Sequence, residues 1–283
     1  MPPTPLPDDI SATVARALAE DIGSGDLTAT LIPADRLAHA EVTLKEPATL
    51  CGTAWFDEVF AQLDPAVRTH WQAEDGAELG AGTVVCTLSG AARSLLTGER
   101  TALNLLQTLS GTATRARKFA RLVENTPARI LDTRKTLPGL RRAQKYAVHC
   151  GGAHNHRIGL FDAVLIKENH IAAVGSIAAA VRMARERTPE VPIEVEVETL
   201  SELREALDTA ADRIMLDEFS LADLRASVAL RDAHPGSRKE LEASGGVSLD
   251  ALQAIAATGI DWISVGALTK HVQAIDFSMR IVS

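Results

Sequence analysis

Residues 193–198 read IEVEVE, and this stretch decides the predicted fold. Successive side chains of a β-strand point to opposite faces, so the three apolar residues would share one face and Glu194, Glu196 and Glu198 the other. Carboxylates that face inward are costly unless cations or a metal pair with them. The stretch therefore predicts a strand whose inner face is polar, either as a structural ion-pair network with Lys135 and Lys167 or as part of a functional site.

Five further apolar runs surround this strand in the second half of the chain. They cover residues 128–133, 162–167, 213–217, 239–244 and 262–266. Segments with helical periodicity separate most of them, which is the rhythm of repeated βα units with a parallel sheet. About six units favour an incomplete α/β barrel, and an open doubly wound sheet is the alternative architecture.

The first half of the chain has a different pattern. Residues 37–90 alternate as strands around one helix at 53–63, and Asp8 is the expected cap of a first helix. The longest helical stretch covers 91–123, where Gly111 is expected to separate two helices and to mark a domain boundary. We therefore predict domains at 1–110 and 111–269, with the tail 270–283 as a candidate to join the first.

The composition is typical of a globular protein. The 283 residues include 29 Lys and Arg against 37 Asp and Glu, a net charge of −8, with 46% hydrophobic residues. The acidity and the 4% aromatic content argue against nucleic-acid binding. The weakly polar run at 171–181 is too short to span a membrane. Three cysteines without a CxxC pair, and an N-terminus without signal-peptide features, predict a reducing, cytoplasmic location.

Positive charge is concentrated between residues 134 and 167. This stretch holds one acid, Asp162, and seven basic residues: Arg134, Lys135, Arg141, Arg142, Lys145, Arg157 and Lys167. A multiply anionic small molecule is the favoured ligand, and solvated loop charge is the alternative. The run HCGGAHNHR at 149–157 contains histidines and a cysteine, but its spacing matches no usual zinc pattern.

Other strand ends complete the predicted site. Asp217 follows the strand next to Glu196, and two such carboxylates could hold Mg²⁺ together with substrate phosphates. The Gly-rich segments SGGV (244–247) and VGALT (265–269) follow the last two strands, where barrels frequently bind phosphate through backbone N–H groups. These features suit transfer chemistry on a phosphorylated sugar.

Several motifs, taken together, resemble the quinolinate phosphoribosyltransferase family. They are EDIGSGDLT, GERTALNLLQTLSGTAT, DTRKTLPGLR, KYAVHCGGAHNHRIGLFDAVLIKENHI, EVEVE, IMLDEF, EASGGV and VGALTK, in this order along nearly the whole chain. The resemblance implies an N-terminal α/β sandwich domain and a C-terminal α/β barrel of about six strands. It also implies transfer of a phosphoribosyl group from phosphoribosyl pyrophosphate to quinolinate, with Mg²⁺ and loss of CO₂, in NAD biosynthesis.

The resemblance also assigns site residues. It implies substrate contacts from Arg100, Thr133, Arg134, Lys135, His156, Arg157, Lys167, Glu196, Asp217, Ser244, Gly245, Gly246, Val265, Gly266 and Ala267. Among them Lys135, Lys167, Glu196 and Asp217 are the expected catalytic residues, and the last two would hold Mg²⁺ through the substrate. The implied assembly is a homodimer, or a hexamer of dimers, in which Arg100 reaches the partner's site.

Three alternatives stay open at this stage. One is a related phosphoribosyltransferase with a different anionic acceptor. Another is a barrel aldolase or isomerase that uses Lys167 as a Schiff base, and the third is a non-catalytic anion-binding barrel.

Overall fold

A computed structural model describes residues 5–236 and 238–282, which form two compact units. The first unit contains the chain up to Lys118, then Thr136–Gly152, and then the chain from Ala267 onward. The second contains Phe119–Lys135 and Ala153–Gly266. The chain therefore enters the second unit, returns to the first for residues 136–152, and then enters the second again. The predicted domain boundaries at 110/111 and 269/270 stay predictions.

Helices and strands alternate along the chain. The helices are α1 (Ile10–Ile22), α2 (Thr53–Leu63), α3 (Ala92–Val123), α4 (Arg141–Cys150), α5 (Glu168–Val174), α6 (Ile177–Arg187), α7 (Leu200–Leu207), α8 (Leu221–Ala233), α9 (Leu249–Ala256) and α10 (Ala267–Lys270), with a 3₁₀ turn at Ala29–Leu31. The strands are β1 (Leu37–Leu44), β2 (Ala48–Thr49), β3 (Arg68–Trp71), β4 (Glu78–Leu79), β5 (Val84–Ala91), β6 (Arg129–Leu131), β7 (Val164–Ile166), β8 (Ile193–Val197), β9 (Arg213–Asp217), β10 (Glu240–Ser244), β11 (Trp262–Ser264) and β12 (Phe277–Ile281).

The first unit is built on an antiparallel sheet in the order β12-β1-β5-β3. Buried and exposed side chains alternate along the first part of β1, and the inward residues share a core with Trp55, Phe56 and Phe60 of α2. The C-terminal strand β12 completes the edge of this sheet by pairing with β1. The predicted strands around one helix are confirmed, although α1 begins after Asp9 rather than Asp8 and has no side-chain cap.

The loop that contains EDIGSGDLT has a structural role within the first unit. Asp26 accepts hydrogen bonds from the Ala29 amide (3.0 Å) and from the Thr97 hydroxyl (2.8 Å). These two bonds lower the pKa of Asp26 below its ordinary value. The carboxylate thus ties the 3₁₀ turn to α3.

Gly111 does not separate two helices, contrary to the prediction, because α3 runs unbroken from Ala92 to Val123. A Cβ atom at Gly111 would lie 2.1 Å from the backbone oxygen of Gln273. The glycine therefore permits close approach of a returning backbone segment, a reason that the local sequence does not reveal.

The second unit contains six parallel strands in the order β6-β11-β10-β9-β8-β7. Across the sheet, β11 to β7 stand in the reverse of their order in the sequence. The first of the six strands in the sequence, β6, pairs with the last, β11. A doubly wound sheet would instead reverse its order at a switch point, so the topology is that of a barrel open between β6 and β7. The prediction of an α/β fold with six parallel strands after a smaller sheet domain is confirmed.

Side chains fix where the barrel helices begin after the strands. Four hydroxyl side chains each accept a hydrogen bond from the backbone amide three residues later, at the start of a helix: Ser176, Thr199, Ser220 and Ser248. Over the described ranges, no helix combines the length and apolar character needed to cross a bilayer.

Candidate active site

The carboxyl ends of the six parallel strands place most of the predicted residues at one edge of the second unit. The segments that follow or end these strands contain Asp132, Thr133, Arg134 and Lys135 (β6), Lys167 (β7), Glu196 (β8), Asp217 (β9), Ser244, Gly245 and Gly246 (β10), and Val265 and Gly266 (β11). Active sites of α/β barrels lie at this edge, so the strand topology supports the predicted location.

Lys167 and Glu196 form an ion pair between neighbouring strands. Glu196 is buried, with 7% of its side chain exposed, whereas the Lys167 side chain is 43% exposed. Lys167 was one of the two cations expected to balance the glutamates of β8, and this expectation is confirmed. A Schiff-base lysine is typically activated in an apolar pocket or by another cation, whereas here a carboxylate engages the amine, which argues against the aldolase alternative.

Arg157 and Arg134 lie close enough for their charges to interact. Burial lowers the pKa of Arg157, and the positive charge of Arg134 lowers it further. One guanidinium nitrogen of Arg157, Nη1, donates to the carbonyl of Ala163 at 3.1 Å. Two guanidinium groups held near each other attract an anion, and a carboxylate would match their planar geometry.

Lys135 runs past the Gly-rich turn after β11. Its backbone N–H donates to the Thr133 hydroxyl at 3.1 Å. A Cβ atom on Gly266 would lie 3.0 Å from Cδ of Lys135 and 3.5 Å from the Thr133 hydroxyl oxygen. The missing side chain at Gly266 therefore leaves the path that the Lys135 side chain occupies.

The turns after β9 and β10 are packed against each other. The Glu218 amide donates to the Ser244 carbonyl at 3.0 Å, and Glu218 has a positive φ of 56°. Gly245 has φ +99°, and a Cβ there would lie 2.6 Å from the Glu218 carboxyl carbon. Only glycine fits this position without displacing Glu218. The phosphate-binding role of Ser244, Gly245 and Gly246 stays a prediction.

Behind these turns, four charged or titratable side chains form a buried group that we call the lumen cluster: His156, Glu194, Arg213 and Glu242. Nε2 of His156 lies 2.8 Å from Oε2 of Glu194 and 3.6 Å from Oε2 of Glu242. Arg213 Nη1 lies 3.3 Å from the same Glu242 oxygen. The partner of Glu194 is therefore His156, and not one of the lysines expected from the sequence.

Burial, followed by the charge of Glu194, raises the pKa of Glu242 to about 8. Burial also raises the pKa of Glu194. Sequence reasoning missed Glu242 and Arg213. A signal was available, since KELEAS places Glu240, Glu242 and Ser244 in the same alternation as IEVEVE.

Arg100 is exposed on α3, and Ala267 directly follows Gly266 and begins α10, so their predicted substrate contacts stay predictions. Glu198 is exposed beyond the end of β8, where its amide donates to Glu202 at 2.8 Å. Glu198 therefore contributes to the start of α7 and not to the inner face of the barrel.

Possible metal ligands fall into two groups in the described ranges: Cys51, Asp75 and Cys150 in the first unit, and His156, Glu194 and Glu242 in the second. The second group already faces Arg213, whose positive charge opposes a further cation. The HCGGAHNHR run is divided between the two units, with residues 149–152 in the first and 153–157 in the second.

Glu196 and Asp217 suit Mg²⁺ by donor chemistry. Both offer carboxylate oxygens, and they stand on neighbouring strands, β8 and β9. Within the described part of the chain, the Asp217 carboxylate takes part in none of the observed ion pairs. Mg²⁺ usually takes one or two carboxylates and completes its coordination with water and substrate phosphates, so two acids at the mouth fit this ion.

Comparison with protein-family models gives two matches that together span most of the chain. Residues 26–110 match the N-terminal domain of quinolinate phosphoribosyl transferase, and residues 112–280 match its C-terminal domain.

Relatives of similar length support the same relationship. The chain is 44% identical over 263 residues to a probable carboxylating nicotinate-nucleotide pyrophosphorylase of Bacillus subtilis, covering 93% of this chain and 90% of the relative. It is 43% identical over 275 residues to the carboxylating nicotinate-nucleotide pyrophosphorylase of Mycobacterium leprae, covering 95% and 96%. The solved structure of the Francisella tularensis nicotinate-nucleotide pyrophosphorylase matches with a TM-score of 0.94 and 46% identity, over 98% of both chains.

Proposed function

The chain belongs to the quinolinate phosphoribosyl transferase family, and from this premise we propose that it transfers the phosphoribosyl group of phosphoribosyl pyrophosphate to quinolinate. The products are nicotinate mononucleotide, pyrophosphate and CO₂, which is a step of de novo NAD biosynthesis. In the site, two observations support the proposal: Arg134 and Arg157 lie close enough for their charges to interact, and Glu196 is paired with Lys167. We call the two arginines the cationic side of the site and Glu196 with its partner the acidic side.

The cationic side is suited to quinolinate, a pyridine with two adjacent carboxylates. Arg134 and Arg157 would each offer a planar fork to a carboxylate, and Lys135 would add a point charge. The interaction between Arg134 and Arg157 is repulsive in the absence of an anion. A bound dianion would relieve this repulsion, which favours a dicarboxylate over a singly charged acid.

The acidic side is suited to the sugar. As pyrophosphate leaves C1′ of the ribose, positive charge develops at that carbon, and the Glu196 carboxylate would stabilise it. Lys167 is held by Glu196, and in the proposed site it would face both the leaving phosphates and the acceptor. Arg134, Lys135 and Arg157 mainly orient the acceptor, because fixing the ring nitrogen near C1′ removes much of the entropic cost of the reaction.

The ring nitrogen forms a bond to C1′ while the bond from C1′ to the pyrophosphate oxygen breaks. The pyridinium accepts the electron pair when the adjacent carboxylate leaves as CO₂, and a proton replaces that carboxylate on the ring carbon.

Three finer features complete the proposal. Mg²⁺ held by Glu196 and Asp217 through the substrate would neutralise charge on the departing pyrophosphate. The backbones of 244–246 and 265–267 would bind the 5′-phosphate. The active assembly would be a homodimer, or a hexamer of dimers, in which Arg100 of one copy reaches the quinolinate of another, and the cytoplasmic location stays a prediction.

Product analysis tests the function directly. Purified protein is incubated with phosphoribosyl pyrophosphate, Mg²⁺ and either quinolinate or nicotinate, and each component is omitted in turn. The proposal predicts nicotinate mononucleotide from quinolinate only when all components are present. Pyrophosphate release with nicotinate but not with quinolinate would instead identify an acceptor without the second carboxylate.

A further inference from the structure

The proposed reaction uses none of Glu194, Arg213 and Glu242, although these side chains of the lumen cluster adjoin His156 inside the barrel. Glu242 has no exposed side-chain area, and Glu194 and His156 have 8% and 9%. Burying two acids is costly, so their retention calls for a specific partner. His156 and Arg213 are the partners, and His156 adjoins Arg157 of the proposed quinolinate site.

Hydrogen bonds fix the tautomer of His156. The Arg157 backbone N–H donates to Nδ1 of His156 at 2.7 Å, so Nδ1 must carry a lone pair and not a proton. The proton of the neutral ring is therefore on Nε2, which lies 2.8 Å from a carboxyl oxygen of Glu194 and 3.6 Å from one of Glu242. Nδ1 is thus engaged by the Arg157 amide, and Nε2 lies within ion-pair distance of a Glu194 carboxyl oxygen.

The same residue fixes the segment that carries Arg157. The His156 amide donates to Oδ1 of the buried Asp132 at 2.9 Å. Further along, Asp162 accepts from the amides of Ile158 (2.7 Å) and Gly159 (2.8 Å). The backbone on either side of Arg157 is thus held, and the bond to Nδ1 of His156 holds the Arg157 amide itself.

We propose that His156 is a positioning residue: Glu194 and Glu242 hold its ring from inside the barrel, and its Nδ1 holds the Arg157 backbone, so that the Arg157 guanidinium stands beside Arg134. This role rests on the proposed function, because the object being positioned is a quinolinate-binding arginine. It adds to the direct substrate contact that the family resemblance implies for His156, since in this role the ring acts through its neighbour. The expected kinetic consequence is on acceptor binding more than on turnover.

Two substitutions separate positioning from direct contact. In His156→Asn the amide oxygen can replace Nδ1 as the acceptor for the Arg157 amide, whereas in His156→Gln the longer amide can replace only the Nε2 donor. Loss of one buried hydrogen bond corresponds to roughly a tenfold change in binding, so the KM for quinolinate should rise about tenfold in His156→Gln. It should rise clearly less in His156→Asn, with kcat changed little in both.

Glu194→Gln tests the contact between Glu194 and the His156 ring, and Glu240→Gln is the matched control. Glu240 also pairs with Arg213, at 3.1 Å, but its side chain is 46% exposed and does not reach His156. Glu194→Gln should raise the KM for quinolinate in the same direction as His156→Gln. Glu240→Gln should leave it unchanged.

The tautomer itself provides a measurement that does not need turnover. In nitrogen-15 spectra of protein with labelled histidine, the His156 signals, assigned by their absence from His156→Asn, should show a protonated Nε2 and an unprotonated Nδ1. A proton on Nδ1 would overturn the proposal, as would a KM for His156→Asn that equals or exceeds that of His156→Gln. If wild-type protein makes no product from quinolinate, the proposed function fails, and the spectra still decide the tautomer independently.

Discussion

Replacing Glu242 by glutamine should remove a large pH dependence from the stability of the second unit. Burial and the charge of Glu194 raise the pKa of this carboxyl from its ordinary 4.5 to about 8 in the folded protein. Because the pKa is higher in the folded protein than in the unfolded chain, Glu242 makes its full contribution to the free energy of unfolding below about pH 4.5. This contribution declines as the pH rises and is lost above about pH 8. The gap between the two values corresponds to roughly 5 kcal/mol at 1.36 kcal/mol per pKa unit.

The glutamine side chain has the shape of the protonated acid and does not titrate. Glu242→Gln should therefore be about as stable as the wild-type protein near pH 5. Its stability relative to the wild-type protein should then increase as the pH is raised to 9. The difference between the two proteins cancels the contributions of all other titrating groups. By pH 9 the difference in free energy of unfolding should reach several kcal/mol. It should stay below roughly 5 kcal/mol, because the glutamine amide forms weaker hydrogen bonds here than the protonated acid.

Urea unfolding followed by tryptophan fluorescence at five pH values measures this difference. Trp262, on β11 beside Glu242 of β10, reports on the second unit, and Trp55 and Trp71 report on the first. Glu240→Gln serves as the control, because Glu240 shares the Arg213 partner but is much more exposed. Parallel stability profiles for wild type and Glu242→Gln, with no divergence between pH 5 and pH 9, would refute the account of a protonated, buried Glu242.

Three further substitutions test separate parts of the structure. Arg134→Lys should raise the KM for quinolinate about tenfold or more, because a point charge replaces the two-pronged donor, and near wild-type kinetics would exclude a bidentate role. Gly266→Ala should leave the melting temperature nearly unchanged but raise the KM for the substrates severalfold, because the new methyl group, 3.0 Å from Cδ of Lys135, displaces that side chain. Gly111→Ala should destabilise the first unit by about 1–3 kcal/mol in denaturant unfolding, because its Cβ would lie 2.1 Å from the Gln273 carbonyl oxygen; an unchanged midpoint would mean that the two segments separate easily.

The strands of the second unit could be predicted from the sequence because their signal is local. All six apolar runs became strands, and IEVEVE formed β8 with its residues buried on both faces. Period-two alternation specifies both a strand and its inner face, so Glu196 was placed correctly next to Lys167. Glu198 was not, because the strand ends at Val197 and the alternation continues one residue beyond it.

Other features depend on distant neighbours and leave no local trace. Gly111 was interpreted as a helix break, although the glycine is required by a backbone segment more than 150 residues later in the chain. The partners of Glu194 were expected among the lysines, because sequence spacing does not show that His156 turns inward. The raised pKa of Glu242 arises from three-dimensional burial, which no run of residues encodes by itself.

The central claim is that quinolinate loses its 2-carboxylate in the same turnover that forms the bond to ribose. The direct measurement is the release of labelled CO₂ from quinolinate labelled in that carboxylate, alongside pyrophosphate, with phosphoribosyl pyrophosphate and Mg²⁺ present. The account predicts equal amounts of CO₂ and pyrophosphate, and neither product when either substrate is omitted. Pyrophosphate release without labelled CO₂ would contradict it.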